Sequence, residues 1–208
     1  MFTFNMAQFL KDHVRDAIID AALYEFAKHG FSGASIAGIA ERSGISTGNV
    51  YRYFASKAKL FDAAVPRSFV QAFLKRFRQR IAAYPVGTQP DKIPKHSPYL
   101  RFSEELLEFT ITNRLRVLII LEGTDGTVHE GFSTKLQTEL SKNAIQTLGL
   151  TKLTNNSTII FALLRDVYRN YFLALGSILR RFSDESDIRT AIDIYSKYHL
   201  GGLAMIAS

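Results

Sequence analysis

S-I-A-G-I-A-E-R-S-G-I-S-T-G-N-V-Y-R-Y-F, residues Ser35 to Phe54, reads as two short helices joined by a tight turn. Ser35 is a good N-cap for a helix over Ile36–Ser43, Gly44 supplies the turn, and Ser46 caps a second helix over Thr47–Phe54. Small Ala37, Gly38 and Ala40 let the two helices cross closely, while Ile45, Val50 and Phe54 point inward and fix the crossing angle. What stays outward on the second helix is Thr47, Gly48, Asn49, Tyr51 and Arg52. Gly48 removes bulk, Thr47 and Asn49 can hydrogen-bond to base edges or phosphates, and Arg52 can pair with guanine or phosphate. This layout is a helix-turn-helix.

Upstream, Val14, Ala17, Ile18, Ala21, Ala22 and Phe26 share one helical face, opposite Lys11, Asp12, Arg15, Asp16 and Asp20, and Gly30 ends that helix. Downstream, Ser56 opens a fourth helix that the pattern carries to Ala83. Residues 85–98 hold four of the five prolines and form a loop, after which Ser97-Pro98 restarts a helix. Gly123–Gly126 interrupts the pattern, and Thr127–Glu130 has the form of a capping box opening another helix. Asn155/Asn156 and the Ser183–Asp187 cluster mark the starts of two long C-terminal helices. With no β-alternation, repeat or low-complexity tract, the expected fold is all-α: a helix-turn-helix domain over 1–55 and a larger helical domain over 56–208.

Three runs in fixed order carry a resemblance: A-x-x-x-F-A-x-x-G-F (Ala22–Phe31), I-A-x-x-S-G-I-S (Ile39–Ser46) and V-Y-R-Y-F-x-S-K (Val50–Lys57). Over about residues 10–65 the chain resembles the TetR/AcrR family of bacterial transcriptional regulators. That resemblance implies that the helix Thr47–Phe54 enters the major groove of double-stranded DNA, and that Ser35, Tyr51, Tyr53 and Lys57 bind phosphates. The candidate DNA-binding set is therefore Ser35, Ser46, Thr47, Gly48, Asn49, Tyr51, Arg52, Tyr53 and Lys57. Ile36 stands where many members carry a hydroxyl residue, which puts one phosphate contact in doubt. The resemblance further implies a divergent C-terminal domain that holds a small-molecule effector and forms a homodimer through the last two helices, here about Asn156–Arg181 and Asp184–Ile206. The implied function is a repressor released from a palindromic operator by its effector; activation is the alternative sign.

The first of those helices carries Phe161, Leu164, Tyr168, Tyr171, Phe172 and Leu175, an aromatic stripe read first as core or dimer interface and second as a pocket wall. Net charge is +7, and residues 61–95 hold seven basic side chains against two acids, whereas residues 96–208 hold twelve of each sign. Within that basic stretch, Lys75, Arg76, Arg78 and Arg80 read as a solvated helix face before a DNA contact. Glu122, Asp125, His129 and Glu130 form a cluster of His and acids whose caps and turns explain it better than a metal does. No cofactor is expected. There are no cysteines, and no GxSxG, P-loop or dinucleotide fingerprint, so an enzyme is not expected. Met1–Leu10 lacks a basic start and a long apolar run, so no signal peptide, no membrane partner and a cytoplasmic location are expected, with Met1 or Met6 as the start. A non-specific nucleic-acid binder is a competing reading that Thr47, Asn49 and Arg52 argue against.

Overall fold

The structure, a computed structural model, describes residues 6–85, 88, 92–147 and 157–207. Among the described residues the chain forms α-helices and no strands: α1 (Met6–Gly33), α2 (Ile36–Ser43), α3 (Thr47–Tyr53), α4 (Lys57–Ala64), α5 (Arg67–Ala82), α6 (Pro98–Thr112), α7 (Arg114–Glu122), α8 (Phe132–Thr147), α9 (Ser157–Arg181) and α10 (Glu185–Ala207). The expected helix starts at Asn155/Asn156 lie outside the described residues, as does part of the proline-rich loop.

The chain folds as two compact units. The first runs to Val70 and takes in Leu115–Glu130; the second comprises Gln71–Arg114 and the chain from Gly131 onward. The unit that contains the helix-turn-helix is therefore wider than residues 1–55 and is built from two separate stretches of sequence.

In the first unit the core gathers on Phe26, Phe31 and Phe61. Phe26 and Phe61 are essentially inaccessible, and the three rings lie 5.1–5.9 Å apart centre to centre. Edge-on and tilted geometries of this kind suit the ring quadrupoles. Gly30 makes the cluster possible. Its backbone leaves the helical region at φ 67° and ψ 172°, a conformation that strains any residue with a Cβ, and the bend lets Phe31 reach Phe61. The expected apolar face of α1 is buried at Ile18, Ala21, Ala22 and Phe26, joined by Ile19 and Leu23.

The single helix expected from Ser56 to Ala83 is two, α4 and α5, separated at Val65-Pro66. Proline has no N–H to continue the ladder, its ring collides with the preceding turn, and it pushes the residue before it out of the helical region. Val65 accordingly sits at φ −126° and ψ 72°. The capping box expected at Thr127–Glu130 also resolves differently. Thr127 Oγ1 accepts from His129 N–H, Glu130 Oε2 accepts from Gly126 N–H, and the helix begins only at Phe132 after Gly131 at φ 71°. The first bond falls one residue short of a box and the second reaches one residue past it, so the segment is a closed turn.

In the second unit α8 and α10 both pack on α9, and α10 also touches α6. Ala144, Leu164 and Leu203 form a small core there, with Ile145, Ile160, Val167 and Tyr168 against it. Arg114 donates to the carbonyl oxygens of Leu179 (2.6 Å) and Phe182 (3.4 Å), closing the C-terminal end of α9. Asp184 accepts from the N–H groups of Ser186 and Asp187 and so caps α10 near the expected start.

Candidate nucleic-acid interface and ligand cavity

Both short helices of the motif are capped as the residue types dictate. Ser35 Oγ accepts from Gly38 N–H (3.0 Å) and Ser46 Oγ accepts from Asn49 N–H (3.3 Å). Gly44 closes α2 in the left-handed region at φ 71°, where its N–H reaches back to Ala40 and Glu41. Ile39 and Ala40 on α2, Val50 on α3 and Phe54 beyond it are buried, which fixes how the two helices sit on α1. Ala37, by contrast, is exposed and takes no part in the crossing; Gly38 does, since a Cβ there would come within 3.0 Å of Glu25 Oε2. Glu25 also draws in Arg42 (3.7 Å), whose guanidinium lies 3.3 Å above the Tyr24 ring.

With Val50 turned inward, helical geometry turns its neighbours outward. Thr47, Gly48, Tyr51 and Arg52 are exposed, Tyr51 by 53%, while Asn49 and Tyr53 are half-buried. Arg52 Nη1 donates to Asn49 Oδ1 (3.2 Å), so the two long polar side chains of α3 hold each other in the free chain. A Cβ at Gly48 would meet no atom within 4 Å. Nothing inside the chain therefore requires glycine there. The Ser35 and Ser46 hydroxyls accept from the backbone and keep a proton to donate outward.

Lys57 has a second task that its sequence position does not reveal. Its ammonium donates to Ala34 O (3.0 Å) and Ser32 O (3.4 Å) and stands 4.7 Å from the centre of the Phe31 ring. It ties the start of α4 to the segment leading into α2.

Sequence reasoning missed the support that the second stretch of this unit gives α4. Pro66 leaves the carbonyls at the end of α4 without backbone donors. Arg116 Nε donates to Ala64 O (2.8 Å), and His129 Nε2 pairs with Val65 O at 3.0 Å, its ring beside Phe61. His129 is thus a buried partner of α4, and among the described residues no group of three or more His and acidic side chains is placed to hold a metal. The one available signal was Pro66 itself.

The basic run of α5 is distributed among specific partners. Arg78 makes a two-pronged ion pair with Glu139 (2.6 and 2.8 Å), and Arg76 lies over the Phe109 ring. Arg80 turns inward to Tyr99 Oη (2.6 Å) and Ser103 Oγ (3.0 Å). Lys75 and Arg78 are exposed, while Arg76 and Arg80 are half-buried.

The second unit encloses a cavity of about 700 Å³ between α5, α6, α9 and α10. Phe73, Phe77, Leu106 and Leu175 give it apolar walls, and Arg80, Glu104, Asp193 and Lys197 are its charged lining. The aromatic stripe of α9 faces inward: Leu164, Tyr171, Phe172 and Leu175 are buried, and Tyr171 and Leu175 line the cavity. Next to it, His199 packs on Tyr171 and Tyr168, with ring centres 4.6 and 5.5 Å apart. Burial, with the Arg80 charge adding to it, pushes the His199 imidazolium down to about 4; burial also pushes the Tyr168 phenol up to about 12.

Residues 18–64 match the family model of bacterial regulatory proteins of the tetR family. Over 69 residues the chain is 38% identical to the HTH-type transcriptional regulator BetI of Paraburkholderia phymatum, covering 33% of this chain and 35% of that protein. Over 68 residues it is 35% identical to the HTH-type transcriptional repressor KstR of Mycolicibacterium smegmatis, covering 33% of each. These matches span about a third of the length of the curated relatives, which are transcription regulators. The solved structure of the probable transcriptional regulatory protein RHA5900 is similar at a TM-score of 0.58 and 19% identity, covering 91% of this chain and 98% of that one, a likeness of fold. No described helix is long and apolar enough to cross a membrane.

Proposed function

We propose that this chain, whose residues 18–64 match the family model of bacterial regulatory proteins of the tetR family, is a sequence-specific DNA-binding transcriptional repressor, released from a palindromic operator by a small-molecule effector. One observation carries the reading: α3 is anchored by buried Val50 and Phe54 and offers Thr47, Gly48, Tyr51 and Arg52 to the outside. An unobstructed backbone at Gly48 suits close approach to a groove wall, and Asn49 and Arg52 suit base edges. Ser35, Ser46, Tyr51, Tyr53 and Lys57 are the candidate phosphate contacts, with Lys57 dividing its donors between the backbone of its own chain and DNA. The repressive sense is carried over from the repressor named among the relatives.

Reading a palindrome requires two copies with their α3 helices about one DNA turn apart, roughly 34–36 Å. Ile159, Leu163 and Leu173 on α9 and Ile194 and Tyr198 on α10 are each more than half exposed, a large apolar surface that suits pairing with a second copy. This is the face of α9 opposite its aromatic stripe. The cavity of the second unit is the candidate effector site, and an effector that binds the DNA-incompetent state better shifts the population away from DNA.

The direct test is retention of genomic fragments by the purified protein at fixed moderate salt. One enriched palindrome, bound ~10³-fold or more above random DNA, supports the reading. Uniform retention overturns sequence specificity.

A further inference from the structure

The cavity of the second unit is apolar along most of its wall, yet among the described residues one of its cations is paired with no anion. Glu104 and Asp193, the acids that line it, are engaged elsewhere: Glu104 with Arg189 (2.6 Å) and Asp193 with Lys197 (2.6 Å). Arg189 is itself shared with Glu108 and Glu185, and these carboxylates are all more than half exposed. Arg80 is different. Among the described residues no carboxylate lies within ion-pair distance of it; its Nε and Nη2 reach only the hydroxyls of Ser103 and Tyr99, and its guanidinium stands 4.9 Å from the centre of the Tyr99 ring.

Those partners orient Arg80 without neutralising it. Tyr99 is 3% exposed, and Ser103 Oγ is itself spent on Tyr99 O (2.8 Å). The charge is felt nearby, where it adds to burial in holding His199 neutral. A guanidinium held among apolar side chains is costly unless an anion meets it, and the planar fork of arginine matches a carboxylate in particular.

We propose that this cavity takes a hydrophobic carboxylic acid, its carboxylate on the Arg80 guanidinium and its hydrocarbon body among Phe73, Phe77, Leu106 and Leu175. At about 700 Å³ the space suits a drug-sized or long-chain molecule, and a polar anion alone would leave the apolar wall wet. Ser103 and Tyr99 hold the guanidinium in place before the ligand arrives, which reduces the ordering cost of binding. The assignment names the effector class for the repressor reading and depends on that reading only for the effect on DNA; occupancy of the cavity stands by itself.

The test is calorimetric titration of the full-length protein, without DNA, with dodecanoate, dodecanol and dodecyltrimethylammonium. Dodecanoate is expected to bind roughly ten- to a hundredfold more tightly than the alcohol, and Arg80→Gln to remove that preference while leaving alcohol binding in place. Lys75→Gln, on the exposed side of α5, is expected to keep it. Equal affinities for all three probes, or preference for the ammonium, overturns the proposal. Because Arg80→Gln can disturb Tyr99, a second readout uses the unaltered protein: saturation with dodecanoate is expected to raise the His199 imidazole titration followed by NMR, and an unmoved titration overturns the Arg80 assignment. Dodecanoate binding that leaves an operator complex intact supports the ligand class and counts against effector release; operator release by a compound with no acid group, with dodecanoate not binding, does the reverse.

Discussion

Gly123 meets Gly30 backbone to backbone: a Cβ on Gly123 would stand 3.3 Å from Gly30 Cα and 3.4 Å from the carbonyl oxygens of Ile119 and Phe26. Phe31 N–H donates to Gly123 O (3.2 Å) across the same junction. The obstructing atoms belong to main chains and cannot rotate aside. Gly123→Ala is therefore expected to destabilise the first unit by about 1–3 kcal/mol in urea unfolding. An unchanged midpoint would show that the junction yields.

Gly48 is the opposite case. It sits in α3 with open space where a Cβ would go, and alanine favours a helix by about 0.5–1 kcal/mol. Gly48→Ala is expected to leave stability unchanged or raised while weakening operator binding. If affinity for the operator stays the same, the α3 backbone does not approach the groove there.

Lys57→Met removes the donor to Ala34 O and Ser32 O and leaves a cation site beside Phe31 empty. A loss of about 1–3 kcal/mol of stability is expected, in addition to any loss of DNA affinity. Stability equal to the parent would reduce Lys57 to a surface cation.

His199 gives a pH dependence with a definite sign. Its folded value, about 4, lies below the ordinary 6.5, so the folded state resists protonation. The stabilisation is complete above pH 6.5 and is lost as pH falls from there toward 4, by about 3 kcal/mol at most. His199→Gln is expected to flatten thermal midpoints measured across that window; an equal slope in both proteins would assign the acid sensitivity to other groups.

Leu163→Glu combined with Tyr198→Glu puts charge on the exposed faces of α9 and α10. Sedimentation is expected to change from dimer to monomer, with the helical circular dichroism preserved. A surviving dimer would move the interface elsewhere.

The helix-turn-helix was legible because everything that defines it is local. Ser35, Gly44, Ser46 and Val50 act on neighbours within a turn or two, so their spacing alone dictates caps, bend and inward face. Pro66 stands in plain view in the sequence, yet the helical pattern on either side of it reads as one helix to Ala83; the α4–α5 break follows from its missing N–H. What sequence could not supply was partnership at a distance. Arg116 and His129 serve carbonyls more than fifty residues away, and nothing in their own neighbourhoods marks them. The cavity is hidden for the same reason: Arg80 belongs to a basic run that reads as a solvated face, and only the approach of Tyr99 and Ser103 from α6 turns it inward. The stripe on α9 was visible, but periodicity cannot say which neighbour a stripe will meet.

The discontinuous first unit sets a rule for anyone exchanging reading heads between regulators. A graft cut once after residue 55, or even after Val70, would carry α3 away without Arg116, Gly123 and His129, which belong to the same unit. The recipient would inherit a specificity element whose foundation remained in the donor. A working chimera needs two inserts, the leading segment and the stretch Leu115–Glu130, moved together as one heritable module.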